Sequence, residues 1–201
     1  VMYGVIDFYR ACKAKGIHPV IGCEVYLAPH SRFDRSYLNG EWHSHLILLC
    51  ENMTGYRNLI HMVSLGFAEG FYMKPRIDMD LLRQHSEGLI CLSACLAGVI
   101  PRALAEGDMD GAYELCEQFL EIFDRDHFYL EVQDHGIEVQ KKVNDGLYKL
   151  AEELNIGLVA TNDAHYLTKQ DARIQDVLMC IQMGKTVDDP TRMKFETQEF
   201  Y

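Results

Sequence analysis

Five short apolar runs, most of them separated by stretches with helical periodicity, limit what this chain can fold into more than any other feature. They cover residues 20–27, 45–50, 88–93, 128–132 and 157–161. Each has the length of a buried strand. Near-continuous apolarity, rather than alternation, predicts strands covered on both faces, as in parallel sheets. Between the runs, Thr54 is placed to cap a helix whose Leu59, Ile60, Val63 and Phe67 share a face, with Gly70 near its end. Asp108 starts a second, with Ala112, Leu115, Cys116, Phe119 and Phe123 inward and Glu114, Glu117 and Glu121 outward. Val139, Val143, Leu147, Leu150 and Leu154 mark a third, closed by Asn155-Ile156-Gly157, and a fourth runs from about Lys169 to Met183 before Gly184. This alternation predicts an α/β fold with right-handed crossovers, built as an open sheet or a barrel.

At 201 residues and 48% hydrophobic, the chain can bury a core without disulfides, and one domain is expected. Its seven cysteines lie mostly inside apolar runs with no CxxC pair, the pattern of reduced thiols in a cytoplasmic protein. No apolar run approaches the ~20 residues of a membrane span, so no membrane partner is expected. A net charge of −11 argues against this segment gripping a nucleic-acid backbone by itself, while it suits cation binding. Residues 29–42 lack periodicity and carry Arg32, Asp34, Arg35, Asn39 and Gly40, a loop of functional length. Residues 185–201 have no strong period and read as a connector leaving a domain at 1–184. Val1 is not an initiator methionine and the sequence stops at Phe200-Tyr201 without a tapering polar tail, so a piece of a longer protein is expected.

Chemistry-bearing residues recur at the strand ends. Asp163-Ala164-His165 follows the fifth run, and two residues spaced so in an extended chain can converge on one cation. Oxygen and nitrogen donors together suit zinc, manganese or iron, and metal-assisted hydrolysis is the chemistry they suggest. Glu24 interrupts the first run, where a carboxylate is costly unless paired or bound to a cation. His45 opens the second run, Cys95 follows the third, and His135 follows the fourth. Singly, each has a plain structural reading. Glu24 fits an ion pair, His45 a hydrogen-bonded core residue, Cys95 a small hydrophobe, and His135 the closure of a turn. Jointly they suit a site gathered from several strand ends. Lys74-Pro75-Arg76 reads first as a solvated turn fixed by Pro75, and second as a contact to a substrate phosphate.

Ordered stretches along the whole chain resemble one family. They include Ile21-Gly22-Cys23-Glu24-Val25-Tyr26, Ser31-Arg32-Phe33-Asp34, Glu69-Gly70-Phe71-Tyr72 and Lys74-Pro75-Arg76-Ile77-Asp78. Leu92-Ser93-Ala94-Cys95-Leu96-Ala97-Gly98, Gln133-Asp134-His135-Gly136, Ala160-Thr161-Asn162-Asp163 and Phe195-Glu196-Thr197 continue the match. This order resembles the PHP (polymerase and histidinol phosphatase) domain region of bacterial replicative DNA polymerase III alpha subunits. The resemblance implies a distorted β/α barrel with a multinuclear metal site, and places Glu24, His45, Cys95, Asp163 and His165 at ligand positions. It leaves His135 structural. It also implies that the first strands and the other ligands lie upstream of residue 1, so the barrel here is incomplete and the fragment alone inactive in synthesis. For the whole protein it implies DNA-directed DNA synthesis with magnesium, DNA and deoxynucleotides as partners, and other replicase subunits such as the sliding clamp. For this region it implies a 3′–5′ exonuclease using zinc, manganese or iron. The alternatives are a structural platform for a separate proofreading subunit and a stand-alone phosphoesterase.

Overall fold

A computed structural model describes residues 2–35 and 43–201. Within the loop expected at 29–42, Asn39 and Gly40 lie outside the described residues. One sheet is built from β1 (Gly22–Leu27), β2 (Ser44–Cys50), β3 (Arg76–Ile77), β4 (Leu89–Leu92), β5 (Phe128–Val132) and β6 (Gly157–Ala160), in the order β3-β1-β2-β4-β5-β6. All five apolar runs become strands, and β3, at two residues, is too short to leave a sequence pattern. The sheet is mixed rather than all-parallel. β2 runs antiparallel to both β1 and β4, whereas β4–β5, β5–β6 and β1–β3 are parallel. Apolarity reports how well a strand is covered; it carries no information on the direction of its neighbours.

The helices are α1 (Val5–Ala14), α2 (Met53–Ala68), α3 (Met79–His85), α4 (Val99–Glu106), α5 (Met109–Phe123), α6 (Glu138–Leu154) and α7 (Ala172–Met183). Side chains from α2 to α6 bury one face of the sheet. Val25, Leu27, Leu46, Leu48, Cys91, Phe128 and Leu130 meet Leu59, Met62, Leu82, Phe119, Val143, Leu147 and Leu150 there. Phe119 and Phe128 stack at 5.2 Å between centroids, joining α5 to β5. Coverage of both faces is not what the described residues show. Tyr26, His45, Ile47 and Leu49 are only half-buried on the other face. That second face carries the candidate site. All seven cysteines are free thiols, and no helix of the described chain is long and apolar enough to cross a membrane.

Local rules place the helices with two corrections. Asn52, not Thr54, caps α2: its Oδ1 accepts from the N–H groups of Thr54 (2.9 Å) and Gly55 (3.1 Å). The buried stripe of α2 is Gly55, Leu59, Met62 and Gly66, while Ile60 and Phe67 face solvent. The glycines turn the stripe, because a Cβ on Gly55 would lie 1.7 Å from the Gly88 carbonyl oxygen. α5 starts at its Asp108 cap and buries Ala112, Cys116, Phe119 and Phe123, leaving Leu115 half-buried. α6 ends at Asn155 and α7 at Gly184, both left-handed. Residues 185–201 hold no helix or strand, and Phe200 near their end is buried back against the rim of the sheet.

Asn52→Ala is expected to cost about 1 kcal/mol by chemical denaturation, and Thr54→Ala only a few tenths.

Candidate metal centre

Strand directions bring three donor residues to one rim. In the β1–β2 register Tyr26 lies opposite His45, and Glu24 sits two residues back on the same face. Because β2 runs antiparallel to β4, its first residues lie beside the loop that leaves β4. That loop is tied to β2 by the His45 N–H donating to the Ala97 carbonyl at 2.9 Å, with a bridge between His45 and Gly98. It folds tightly: Ala94 adopts φ 65°, and a Cβ on Gly98 would lie 2.1 Å from the Ser93 carbonyl oxygen. Cys95 is thereby set against His45.

Glu24, His45 and Cys95 each offer a donor atom within 4.8 Å of the others. His45 Nδ1 lies 3.3 Å from Glu24 Oε1 and 3.6 Å from Cys95 Sγ. Bonds of about 2.0–2.3 Å at a tetrahedral ion separate its ligands by roughly 3.3–3.8 Å, so these spacings fit one cation. Oxygen, nitrogen and sulfur donors suit zinc or iron, with manganese accepted through the oxygen and nitrogen. Glu24 and His45 side chains are 37% and 26% exposed, which leaves an entry path. Burial foremost, opposed by a hydrogen bond from the Ala97 backbone and joined by the charges of Asp163, Glu24 and Glu131, pushes the Cys95 thiol up to about 12. That sulfur keeps its proton at neutral pH until a cation displaces it.

Asp163 and His165 stand past the end of β6 in a loop, where Asp163 adopts φ 42°. Asp163 acts on Cys95 and Glu131 through its charge but lies outside the close group of three. His165 Nδ1 donates to the Asp163 carbonyl at 2.7 Å and is 3.9 Å from Asp163 Oδ1. Its ring meets Phe195 and Phe200 edge-on, and its backbone N–H donates to the Phe200 carbonyl. His165 is therefore not brought to the other donors. His135 is fully buried, with Nε2–H donating to the Asn162 carbonyl and Nδ1 accepting from Gln140 Nε2. Its ring stacks on Phe200 at 3.9 Å, a structural role.

Two neighbours of the site escaped the sequence reading. Glu131 is 6% exposed, and burial holds its carboxyl above the usual range, with Asp163 adding to the shift. Its Oε1 accepts from Thr161 and Gln133, while Oε2 has no partner. A carboxylate inside the apolar run 128–132 is the same signal that singled out Glu24. His43 lies 6.0 Å from His45 between ring centroids, and burial plus nearby cations push it down to about 4. In Lys74-Pro75-Arg76 the two cations part company. Arg76 is buried and braces the carbonyls of Gly70, Arg32 and Asp34, which is neither a solvated turn nor a substrate contact.

Comparison with known proteins adds the family context. Residues 1–135 match the family described as PHP domain. The full chain is 49% identical to the DNA polymerase III subunit alpha of Treponema pallidum, covering 17% of that protein. It is 45% identical to the Thermus aquaticus and Borreliella burgdorferi proteins of the same name, again along its full length, covering 16% and 17% of them. The chain thus spans about a sixth of the length of these relatives.

The raised Glu131 carboxyl carries a sign that can be measured without metal. A folded value above the ordinary 4.5 means that folding takes up a proton; that stabilisation is full below 4.5 and is lost as pH rises through the folded value. Glu131→Gln is expected to raise the melting temperature of the chelator-treated chain at pH 7 and to flatten its decline above pH 4.5. An unchanged pH profile in the variant would show that Glu131 carries no such cost.

Proposed function

The chain belongs to the PHP domain family, and we propose that it serves as the metal-binding PHP region of a bacterial DNA polymerase III alpha subunit. The observation that carries this reading is the group Glu24, His45 and Cys95, spaced as ligands of one cation. Asp163 and His165 complete the ligand set. To do so His165 must exchange its bond to the Asp163 carbonyl for a cation. In the same reading the half-open face of the sheet is the inner wall of a distorted β/α barrel. Residues 1–184 are the domain, and 185–201 lead toward the polymerase palm.

Zinc, manganese or iron held there supplies Lewis-acid activation of water and neutralises charge on a phosphate. The chain's own residues do the rest. Glu24 and His45 present aligned donors from adjacent strands, and Cys95 yields its proton as a cation enters. Glu131, through Thr161 and Gln133, ties the ends of β5 and β6 together two residues before Asp163. The reaction that fits is phosphodiester hydrolysis at the 3′ end of a primer, a 3′–5′ exonuclease. The whole protein is then a cytoplasmic DNA-directed DNA polymerase working with magnesium, DNA, deoxynucleotides and the sliding clamp.

One observation favours a second reading. His165 commits its Nδ1 to the backbone and its ring to Phe195 and Phe200, as a structural residue does. A domain with that residue withdrawn serves as a docking platform for a separate proofreading subunit.

Metal analysis separates the two. The first reading expects the chain to retain stoichiometric zinc, manganese or iron, and Cys95→Ala or Glu24→Ala to weaken retention by at least about tenfold. In the full-length protein, Asp163→Ala is expected to abolish metal-dependent trimming of a mismatched primer. A wild-type chain that holds no metal would leave the platform reading standing.

A further inference from the structure

Lys74 is a cation placed where the rest of the site attracts cations. A tight turn presents it: the Tyr72 N–H donates to the Lys74 carbonyl at 3.0 Å, and Met73 between them adopts φ 61°. Pro75 and the buried Arg76 anchor the following strand, so the turn is held rather than loose. The Lys74 ammonium sits 5.4 Å from the centre of the Tyr26 ring, and that ring is 5.4 Å from the His45 ring and 4.6 Å from His43. One aromatic ring therefore separates Lys74 from a candidate metal ligand. Among the described residues no carboxylate pairs with it. Arg102 bonds Ser44 and the Ala97 carbonyl, and Arg76 is spent on backbone carbonyls. Lys74 remains at this rim as a cation held over the Tyr26 ring.

A fixed ammonium beside a cation site weakens that site by repulsion unless an anion lies between the two. A phosphate oxygen is such an anion, and lysine meets it as a point charge on a flexible stem. The Tyr26 face holds the ammonium in reach while the position is empty of phosphate. We propose that Lys74 is the phosphate-binding residue of this centre, its ammonium taking one oxyanion of a phosphoester whose other oxygens face cations held at Glu24, His45 and Cys95. The inference rests on the metal-centre reading above and adds to it the residue that takes the phosphate.

The test is calorimetric titration of inorganic phosphate into the manganese-loaded chain, wild type against Lys74→Ala and Lys74→Arg, with metal content measured in each. Lys74→Ala is expected to weaken phosphate binding by about tenfold with manganese retained as well as or better than in wild type. Lys74→Arg is expected to restore most of the loss, which a folding defect would not allow. Competition by a short oligothymidylate tells the source of the phosphate: displacement that depends on Lys74 identifies a nucleic-acid diester, and displacement by phosphomonoesters alone identifies a small substrate. Equal phosphate affinity in wild type and Lys74→Ala, both loaded with manganese, overturns the role of Lys74 and leaves the metal centre intact. A wild-type chain that takes up none of zinc, manganese and iron overturns both.

Discussion

The hydrogen bond from the His45 N–H to the Ala97 carbonyl holds the candidate site together. It fastens the loop after β4 to the first residue pair of β2, and only because β2 runs antiparallel to β4 do those two places coincide. Glu24 then reaches the same point by register, two residues before the Tyr26–His45 pair. Three donors separated by 21 and 50 residues in sequence thus meet through one strand reversal and one backbone bond. The loop that makes the bond depends in turn on Ala94 in the left-handed region and on the absence of a side chain at Gly98.

The electrostatics of this rim run against stability and toward ligand binding. Cys95 is a thiol that burial, with three carboxylates nearby, keeps from ionising, and Glu131 is a carboxyl that burial and Asp163 hold above its ordinary range. Such groups are costly in a fold that has no use for them. A divalent cation reverses every sign: it pulls the proton from sulfur and favours each carboxylate in its charged form. A cation bound at this rim would convert that cost into affinity. The helix-covered face, with its layer from Val25 to Leu150, supplies the stability that lets the other face carry this cost.

Much of the fold was legible because it is local. The five apolar runs are strands, Asp108 caps α5, and Gly184 ends α7, each from chemistry within a few residues. The misreadings share a cause. Asn52 competes with Thr54 for the cap of α2, and its reach to Gly55 is settled by how the helix lies on the Gly88 turn. The inward stripe of α2 rotates toward Met62 and Gly66 because two glycines, silent in a hydrophobic pattern, allow the closest approach. The buried carboxylate of Glu131 was visible by the rule that marked Glu24, but its ties to Thr161 and Gln133 cross from β5 to β6.

By itself the sequence determined which donor types stand at strand ends, and its ordered motifs carried the family. It could not say which donors meet, because direction and register of β2 are set by contacts between residues far apart in the chain. Tertiary structure decided that Glu24, His45 and Cys95 share one point while His165 turns to Phe195 and Phe200. It also split Lys74 from Arg76, hiding one cation under backbone carbonyls and leaving the other over Tyr26. Side-chain chemistry is written residue by residue, whereas proximity comes from the packing of the whole.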